Sequence, residues 1–276
     1  MSFGPLKSMV RLWARLICLA LWTVLWVPFL YAGQRFELAC HNWILRHYSR
    51  GIIWIMGVKL KLHGNFERKR PTLFVCNHSS YYDIHTIASV VPAVFLAKDD
   101  ILGWPVIGPL CRLSGSVFIS RDPQKTLENM AKIKNNKSKS FILFPEGTTT
   151  DGNRVKKFNS AFFGLVTQLD TYHPMVVQPL SIAYTRLAGI PMGNHYRPYF
   201  SWFGDMDLVS HVKNALAFSS VTVEITAHPT IEGETLKDRK KVAQLCEQLI
   251  TSSLTEKLTC PKKPNKKAPS PTMVAA

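Results

Sequence analysis

Residues 73–90, LFVCNHSSYYDIHTIASV, contain the features that decide the fold of this chain. The apolar run Leu73 to Cys76 is typical of an interior strand, and the stretch 82–90 has the length of a helix. Between them lie asparagine and serine residues, which favour turns and helix N-caps. The segment therefore predicts a strand, a turn and a helix in direct succession, as in an open α/β sheet.

His78 and Asp83 lie five positions apart in this segment. On one continuous helix, residues at this spacing are about 500° apart and do not share a face. They can meet if His78 lies in the turn after the strand and Asp83 in the first helical turn, where the helix dipole favours a carboxylate. Asp83 would then orient one ring nitrogen and leave the other as a base for a hydroxyl. A histidine that only caps the helix is the alternative.

Short apolar runs and stretches of helix length alternate along the rest of the chain. The predicted strands are Val58 to Leu62, Leu73 to Cys76, Ala93 to Ala97, Val117 to Ile119, Phe141 to Phe144, Met175 to Tyr184 and Val221 to Thr226. The predicted helices lie near 82–90, 101–113, 123–136 and 158–169, followed by a closing helix from Leu236 to Leu258. This alternation predicts an α/β fold with helices on both faces of a central sheet.

An uncharged run, Leu16 to Ala32, precedes this domain and reads LICLALWTVLWVPFLYA. As a helix it would reach about 25 Å, the short end for a membrane span. Its aromatic residues suit the headgroup interface, and Arg11 and Arg15 precede it. Pro28 is expected to kink or end the helix. A signal peptide is the alternative, although no convincing cleavage site follows the run.

A second amphipathic stretch covers Phe36 to Gly57. Two adjacent helices lying in or dipping into one leaflet fit the pattern, and a helix packed on the globular core is the alternative for the second. The expected domains are a membrane-anchoring helical segment over 1–57, a catalytic domain over 58–260 and a disordered basic tail over 261–276.

Lysine and arginine outnumber aspartate and glutamate by 34 to 18, which gives a formal charge of +16. Such an excess attracts anions, and seven tryptophans with 46% hydrophobic residues favour an anionic membrane surface as the partner. No nucleic-acid-binding motif occurs in the sequence, so nucleic acid is not an expected partner. The six cysteines form no CxxC pair, which favours reduced thiols facing a cytosol over disulfides or a zinc site.

Four ordered motifs resemble those of the glycerolipid acyltransferase family, whose bacterial member makes phosphatidic acid from lysophosphatidic acid. The motifs are Asn77-His78-(four residues)-Asp83, Gly115 to Arg121 (GSVFISR), Phe144 to Thr148 (FPEGT) and Val177 to Leu180 (VQPL). The similarity covers roughly residues 58–230. It implies a central mixed β-sheet flanked by helices. It implies no metal and no prosthetic group.

The resemblance implies that His78 deprotonates the acceptor hydroxyl and that Asp83 fixes its tautomer. The hydroxyl then attacks the thioester carbonyl of acyl-CoA or acyl-carrier protein, and no acyl-enzyme forms. The positions that correspond to the family's acceptor site are Gly115, Arg121, Glu146, Gly147 and Thr148. Arg121 can pair bidentately with a phosphate, to which Lys98 would add a point charge.

Glu146 is by its charge a poor phosphate ligand. A backbone N–H group, a basic side chain or a glycerol hydroxyl is its expected partner. Thr149 is a departure from the family, because members that act on lysophosphatidic acid often carry arginine after Glu-Gly-Thr. The missing cation weakens the case for a phosphomonoester acceptor. Four cations close in sequence could compensate for it: Arg121, Arg154, Lys156 and Lys157.

The segment from Trp202 to His211 also resembles a bacterial subgroup that includes lyso-ornithine lipid acyltransferases. The expected function is O-acylation of 1-acyl-glycerol-3-phosphate to phosphatidic acid, at the cytosolic face of an inner membrane. Another lysolipid is the alternative acceptor, either a phosphate-free or zwitterionic one such as lyso-ornithine lipid or another lysophospholipid.

Two further function classes stay open at this point. A catalytically silent lipid-binding protein would use the positive charge alone, and the His78/Asp83 pair argues against it. A serine hydrolase would need a G-x-S-x-G elbow, which Leu113 to Ser116 does not provide. Cys76 and His78 make only two candidate metal ligands, too few for a metal site.

Overall fold

The computed structural model describes residues 5–120, 128, 131, 140–164 and 175–259. Within these ranges the strands are β1 (Val58–His63), β2 (Thr72–Cys76), β3 (Ala93–Lys98), β4 (Val117–Ile119), β5 (Ser140–Leu143), β6 (Val176–Leu187), β7 (Ile190–Pro191) and β8 (Val221–Ala227). The helices there are α1 (Pro5–Arg35), α2 (His41–Ile55), α3 (Tyr82–Ala88), α4 (Ile107–Leu113), α5 (Leu208–Ala217) and α6 (Arg239–Thr259).

The strands form a mixed sheet in the order β1-β8-β6-β2-β5-β3-β4, with β7 paired to β6. Parallel pairing joins β6, β2, β5, β3 and β4 in turn, and β1 is parallel to β8. The strands β6 and β8 are antiparallel, which makes the sheet mixed. The expected α/β fold is confirmed, and each of the seven predicted strands ends within three residues of its expected bounds.

Both faces of the sheet are covered, because the central strands carry apolar side chains in both directions. In β2, Phe74 and Cys76 belong to the core layer under α1, α2 and α3. Leu73 and Val75 belong to the opposite layer, with Val242 and other residues of α6. Adjacent strand residues point to opposite faces, so a strand that is apolar throughout contributes to two layers at once.

Helix α1 is longer than the uncharged run and continues through Pro28, so the helix does not end at this proline, and a kink there stays a prediction. Its 31 residues would reach about 46 Å. The segment Leu6–Arg35 is long and apolar enough to cross a membrane. Its most apolar 18-residue stretch has a mean hydropathy of 1.9, and 11% of that stretch is buried. A signal sequence meets the same criteria of length and composition. The length and composition of the helix favour membrane association.

Helix α2 packs on the core through Leu45, Tyr48 and Ile52, which are buried. This is the alternative that the sequence left open for the second helix. The helix nevertheless exposes Trp43 and Trp54, whose exposed fractions are 58% and 69%. It is thus a core helix with a second, solvent-facing aromatic side.

Helix α5 was not among the predicted elements. Its N-cap residue is Asp207, whose side chain accepts a hydrogen bond from the backbone N–H of Ser210 at 2.8 Å. The helix predicted near 101–113 is divided: a 3-10 turn at Asp99–Gly103 precedes α4, and Pro105 lies between the two. The predicted helix at 123–136, apart from residues 128 and 131, lies outside the described residues, as do 165–169 of the helix predicted at 158–169 and the tail 261–276. The described part of the predicted helix at 158–169 contains a 3-10 turn at Ser160–Phe163.

Candidate active site

His78 and Asp83 meet in the turn between β2 and α3. His78 follows the end of β2, and Asp83 lies in the first turn of α3. The Nδ1 atom of His78 is 2.9 Å from Oδ2 of Asp83. The geometry required by their spacing is therefore present: one residue in the turn and the other in the helix.

Asp83 is fully buried and accepts hydrogen bonds on both of its oxygens. Its Oδ2 accepts the backbone N–H groups of Ser79 at 2.8 Å and Ser80 at 2.9 Å. Its Oδ1 accepts the hydroxyl of Tyr184 at 2.6 Å. An ionised carboxylate accepts only, so Nδ1 of His78 is the donor, and its Nε2 carries the lone pair that a general base needs.

Tyr184 is a functional candidate that the sequence did not reveal. It lies in β6, 101 residues after Asp83, and is buried between the sheet and Phe200. Burial and the charge of Asp83 raise the pKa of Tyr184 well above its ordinary value, so its hydroxyl stays a donor. No local signal marks it, because its partner is brought beside it only by the pairing of β2 with β6.

The ring of His78 stacks on Phe144, with centroids 4.0 Å apart and planes 13° from parallel. Its side chain is 17% exposed. Phe144 follows β5 and opens the Phe-Pro-Glu-Gly-Thr motif. The stacking fixes the plane of the imidazole, and the hydrogen bond from Nδ1 to Asp83 fixes its rotation within that plane. The direction in which Nε2 points is therefore defined.

Glu146 connects the third motif to the first. Its Oε1 accepts the backbone N–H of His78 at 2.8 Å, and its Oε2 accepts that of Lys156 at 2.8 Å. Burial raises the pKa of Glu146 to about 7, although both N–H groups oppose the shift. Of the three partners expected for this carboxylate, the structure shows the backbone N–H. Its role as an acceptor ligand stays a prediction.

The loop after Glu146 closes over the His78 turn. Gly147 has a φ of +66°, a left-handed conformation that glycine adopts without strain. The backbone N–H of Thr150 donates to the carbonyl of His78 at 3.0 Å. Thr148 is exposed and Thr149 is half-buried. The loop thereby presents hydroxyl groups, and no cation, at the positions that follow Glu-Gly.

Arg197 is a second residue that the sequence did not reveal. It is only 2% exposed and donates to the side-chain oxygens of Asn153 and Asn194 and to the carbonyl of Met192. These bonds tie the loop after Glu146 to the segment before α5. Because a buried guanidinium needs such acceptors, Arg197 acts here as a support for the loop.

The other predicted residues follow the carboxyl ends of neighbouring strands. Parallel pairing places the ends of β2, β5, β3 and β4 along one edge of the sheet. His78 follows β2, Glu146 follows β5, and Lys98 ends β3, where it pairs with Asp100. Arg121 comes two positions after β4 and lies outside the described residues, so its place in the site stays a prediction.

Gly115 follows α4 at a φ of +75°. A Cβ atom there would lie 2.9 Å from Oε1 of Gln34 and 3.2 Å from Nε2 of His41. The glycine is thus needed for the close approach to the junction of α1 and α2. Its part in acceptor binding stays a prediction.

Cys76 is buried beside the site, and burial raises the pKa of its thiol well above the ordinary value. A thiol in this state is a poor nucleophile. Within the described parts of the chain, no group of three or more His, Cys, Asp and Glu side chains could hold a metal ion.

The chain is similar to known acyltransferases. The family model described as "Acyltransferase" matches residues 58–183. A lyso-ornithine lipid O-acyltransferase of Rhizobium meliloti (strain 1021) is 34% identical, over 80% of this chain and 78% of that protein. A 1-acyl-sn-glycerol-3-phosphate acyltransferase of Limnanthes douglasii is 29% identical, over 50% of each chain.

A solved structure also matches. The 1-acyl-sn-glycerophosphate (LPA) acyltransferase PlsC from Thermotoga maritima aligns with a TM-score of 0.65 over 93% of this chain and 99% of that one. The two sequences are 18% identical, so this likeness bears on the fold alone.

Proposed function

Since the chain belongs to the glycerolipid acyltransferase family, we propose that it transfers a fatty acyl group to the hydroxyl of lyso-ornithine lipid. Its activity as a lysolipid acyltransferase follows from the family and its relatives. The observation that supports this acceptor is the sequence identity to lyso-ornithine lipid acyltransferases, together with the length over which it extends. The Rhizobium meliloti lyso-ornithine lipid enzyme is 34% identical over 80% of this chain, and the Limnanthes douglasii 1-acyl-sn-glycerol-3-phosphate enzyme is 29% identical over 50%.

The chemistry of the site supports a phosphate-free acceptor. Thr149 stands where enzymes for lysophosphatidic acid often carry arginine, and the loop around it presents hydroxyl groups. An ornithine headgroup carries a carboxylate and an ammonium group, which need fewer cations than a phosphomonoester. Lys98 is already paired with Asp100, and Arg197 is already bound to three oxygen acceptors. Neither is an uncommitted phosphate ligand.

The reaction can be written from the geometry of His78. Nε2 removes the proton from the acceptor hydroxyl, and the oxygen attacks the thioester carbonyl of acyl-CoA or acyl-carrier protein. The C–S bond breaks as the ester forms, and the leaving thiolate takes the proton from the imidazolium. Asp83, 2.9 Å from Nδ1, stabilises that imidazolium while the reaction proceeds.

Lysophosphatidic acid is a second candidate acceptor, because basic residues adjoin the site. The backbone N–H of Lys156 is bound to Glu146, so this residue is held beside the loop. The side chains of Arg154, Lys156 and Lys157 are exposed there and could neutralise a phosphate. The product of this reaction would be phosphatidic acid.

The membrane is the proposed place of the reaction, with the catalytic domain on the cytosolic side of an inner membrane. Both the acceptor and the product are lipids, and α1 offers an apolar helix with little of its surface buried. The positive charge of +16 supports contact with anionic headgroups.

The test uses detergent-solubilised protein, wild type and His78→Ala, with labelled acyl-CoA and acyl-carrier protein. The acceptors are lyso-ornithine lipid, lysophosphatidic acid, lysophosphatidylglycerol and lysophosphatidylethanolamine. We expect product from lyso-ornithine lipid, and at least about 10²-fold less with His78→Ala, because the base is removed. If product forms only from another acceptor, the acyl-transfer reaction stands but lyso-ornithine lipid is not the acceptor. Equal turnover by well-folded His78→Ala would refute the mechanism.

A further inference from the structure

A cleft outside the catalytic site lies between α2 and β1, the edge strand of the sheet. Three arginines line it: Arg46 and Arg50 from α2, and Arg68 from the segment between β1 and β2. Apolar side chains line the rest, among them Trp54, Leu60 and Leu62. We call it the arginine cleft. In the sheet order, β8 and β6 separate β1 from β2, the strand that carries His78.

The three guanidinium groups are close to one another. Arg46 and Arg50 are four residues apart on a helix and therefore share a face. Burial lowers the pKa of Arg46, and the charges of Arg50 and Arg68 lower it further. Like charges at this spacing destabilise a helix, so a bound anion would relieve a repulsion built into the fold.

Among the described residues, no carboxylate forms an ion pair with Arg50 or Arg68. The nearest acid in sequence, Glu67, is bound to Arg70 at 2.7 Å and to the backbone N–H groups of residues 68–70. Arg46 gives only its Nε–H, to the carbonyl of Ser89 at 3.1 Å. The cleft thus offers guanidinium donors for an anion from outside the protein.

The walls of the cleft favour a lipid over a free ion. Leu60 and Leu62 are half-buried on the edge strand, and Trp54 is 69% exposed. Trp43, Arg46, Arg50 and Trp54 follow one another at spacings of three and four residues, so they lie along one face of α2. Exposed tryptophan is typical of the membrane–water interface, where phosphate groups and the first acyl carbons are found together.

We propose that the arginine cleft binds the headgroup of an anionic phospholipid, with the phosphate on the guanidinium groups and the glycerol backbone against Trp54 and Leu62. The bound lipid is neither substrate nor product. It holds the edge of the sheet at the membrane surface and thereby orients the catalytic domain.

The test measures lipid binding by native mass spectrometry of the full chain in detergent. The probes are dihexanoylphosphatidylglycerol, dihexanoylphosphatidylcholine and sn-glycerol 3-phosphate. The variant is Arg50→Gln/Arg68→Gln. The matched control, Lys240→Gln/Lys241→Gln, removes the same charge from two exposed lysines of α6, on the opposite face of the sheet.

We expect the wild type and the control to bind phosphatidylglycerol at least about tenfold more tightly than the arginine variant does, since charge-assisted hydrogen bonds are lost. Acyltransferase turnover in detergent should stay within about twofold in all three proteins, which shows that they are folded. Equal binding by the arginine variant, or an equal loss in the lysine control, would overturn the proposal. So would glycerol phosphate binding as tightly as the lipid, because the cleft would then be an anion site only.

Discussion

Asp83 has no solvent exposure and accepts four hydrogen bonds: three on Oδ2, including that of His78, and one on Oδ1. Burying a carboxylate costs several kcal/mol unless donors replace its water. The two backbone N–H groups, Tyr184 and His78 supply those donors. These donors replace the water that the buried carboxylate has lost, and in such a water-poor environment a charged group acts on its neighbours more strongly than it does in water.

Tyr184→Phe should lower kcat by about tenfold while leaving the fold intact. It removes one donor from the buried Asp83 and keeps the aromatic ring that stacks on Phe200, at a centroid distance of 6.3 Å. Steady-state kinetics on the detergent-solubilised enzyme measures the change. The matched control is Tyr48→Phe, which loses a hydroxyl contact with Thr23 in the helical hairpin. If both variants have the same kcat, Tyr184 does not support the base.

Glu146→Gln should reduce the pH dependence of stability. Because the folded-state pKa of Glu146 is raised to about 7, the folded protein keeps a proton that the unfolded chain releases near 4.5. The retained proton of Glu146 therefore adds to the free energy of unfolding. This stabilisation is fully present below pH 4.5 and is lost as the pH rises through 7. It amounts to at most about 3 kcal/mol.

The measurement is denaturant unfolding of wild type and Glu146→Gln at pH 5 and pH 8. We expect the wild type to lose more unfolding free energy between the two pH values than the variant does. Parallel losses in the two proteins would show that Glu146 does not titrate in this range.

Helix α1 is hydrogen-bonded to the carboxyl end of α5 through two arginine side chains. Arg11 donates to the carbonyl of Ala217 at 2.9 Å. Arg15 donates to the carbonyls of Leu216 at 2.9 Å and Ser219 at 2.7 Å, and also to Phe218. These are carbonyls that a helix end leaves without partners, and cations are favoured there. The amino-terminal helix is therefore part of the catalytic domain's packing as well as a candidate anchor.

Arg15→Gln should lower the unfolding free energy by about 1–3 kcal/mol, because buried carbonyls at the end of α5 lose a charged donor. Thermal unfolding in detergent measures the change. The control is Lys7→Gln, on the same helix with an exposed side chain, which should leave the melting temperature within about a degree. An equal decrease in melting temperature in both variants would show that the total charge of α1 matters and that the bonds of Arg15 to α5 do not.

The strands could be predicted from sequence because interior parallel strands are apolar on both faces, as Leu73 to Cys76 shows. The contact between His78 and Asp83 could be predicted because the two residues lie five positions apart, one in the turn and one in the following helix. The contact of Tyr184 with Asp83 could not, since the two residues are 101 positions apart in the chain, and the bond from Arg197 to Asn153 spans 44 positions. Helix α5 was missed because few of its residues are buried apolar ones, and Asp207 was its main signal.

More of the large apolar side chains that the described residues expose lie on α1 than on any other element. Leu21 and Val24 are 66% and 72% exposed, and similar side chains extend along the helix. Exposed apolar surface of this extent is unusual for a water-soluble monomer. A membrane that covers the outer side of α1 would leave the inner side, with Leu30, packed against the core.

Leu21→Gln/Val24→Gln should reduce the fraction of protein that sediments with membranes, because both side chains face outward and contribute no core packing. Fractionation of cell lysates measures it. The control is Ile190→Gln/Leu249→Gln, which replaces two exposed apolar side chains away from α1. Undiminished sedimentation of the α1 variant would place the anchor elsewhere in the chain.

The bonds between α1 and α5 join groups more than 200 residues apart in the chain. During translation, α1 leaves the ribosome long before α5 has been made. The edge strand β1 also lacks its partner during this time, because β8 begins at Val221 and is made later. Until α5 has been made, a membrane can cover the apolar surface of α1 that has no protein partner. The catalytic domain would then complete itself around a helix already at the bilayer, so assembly and delivery to the membrane become a single event.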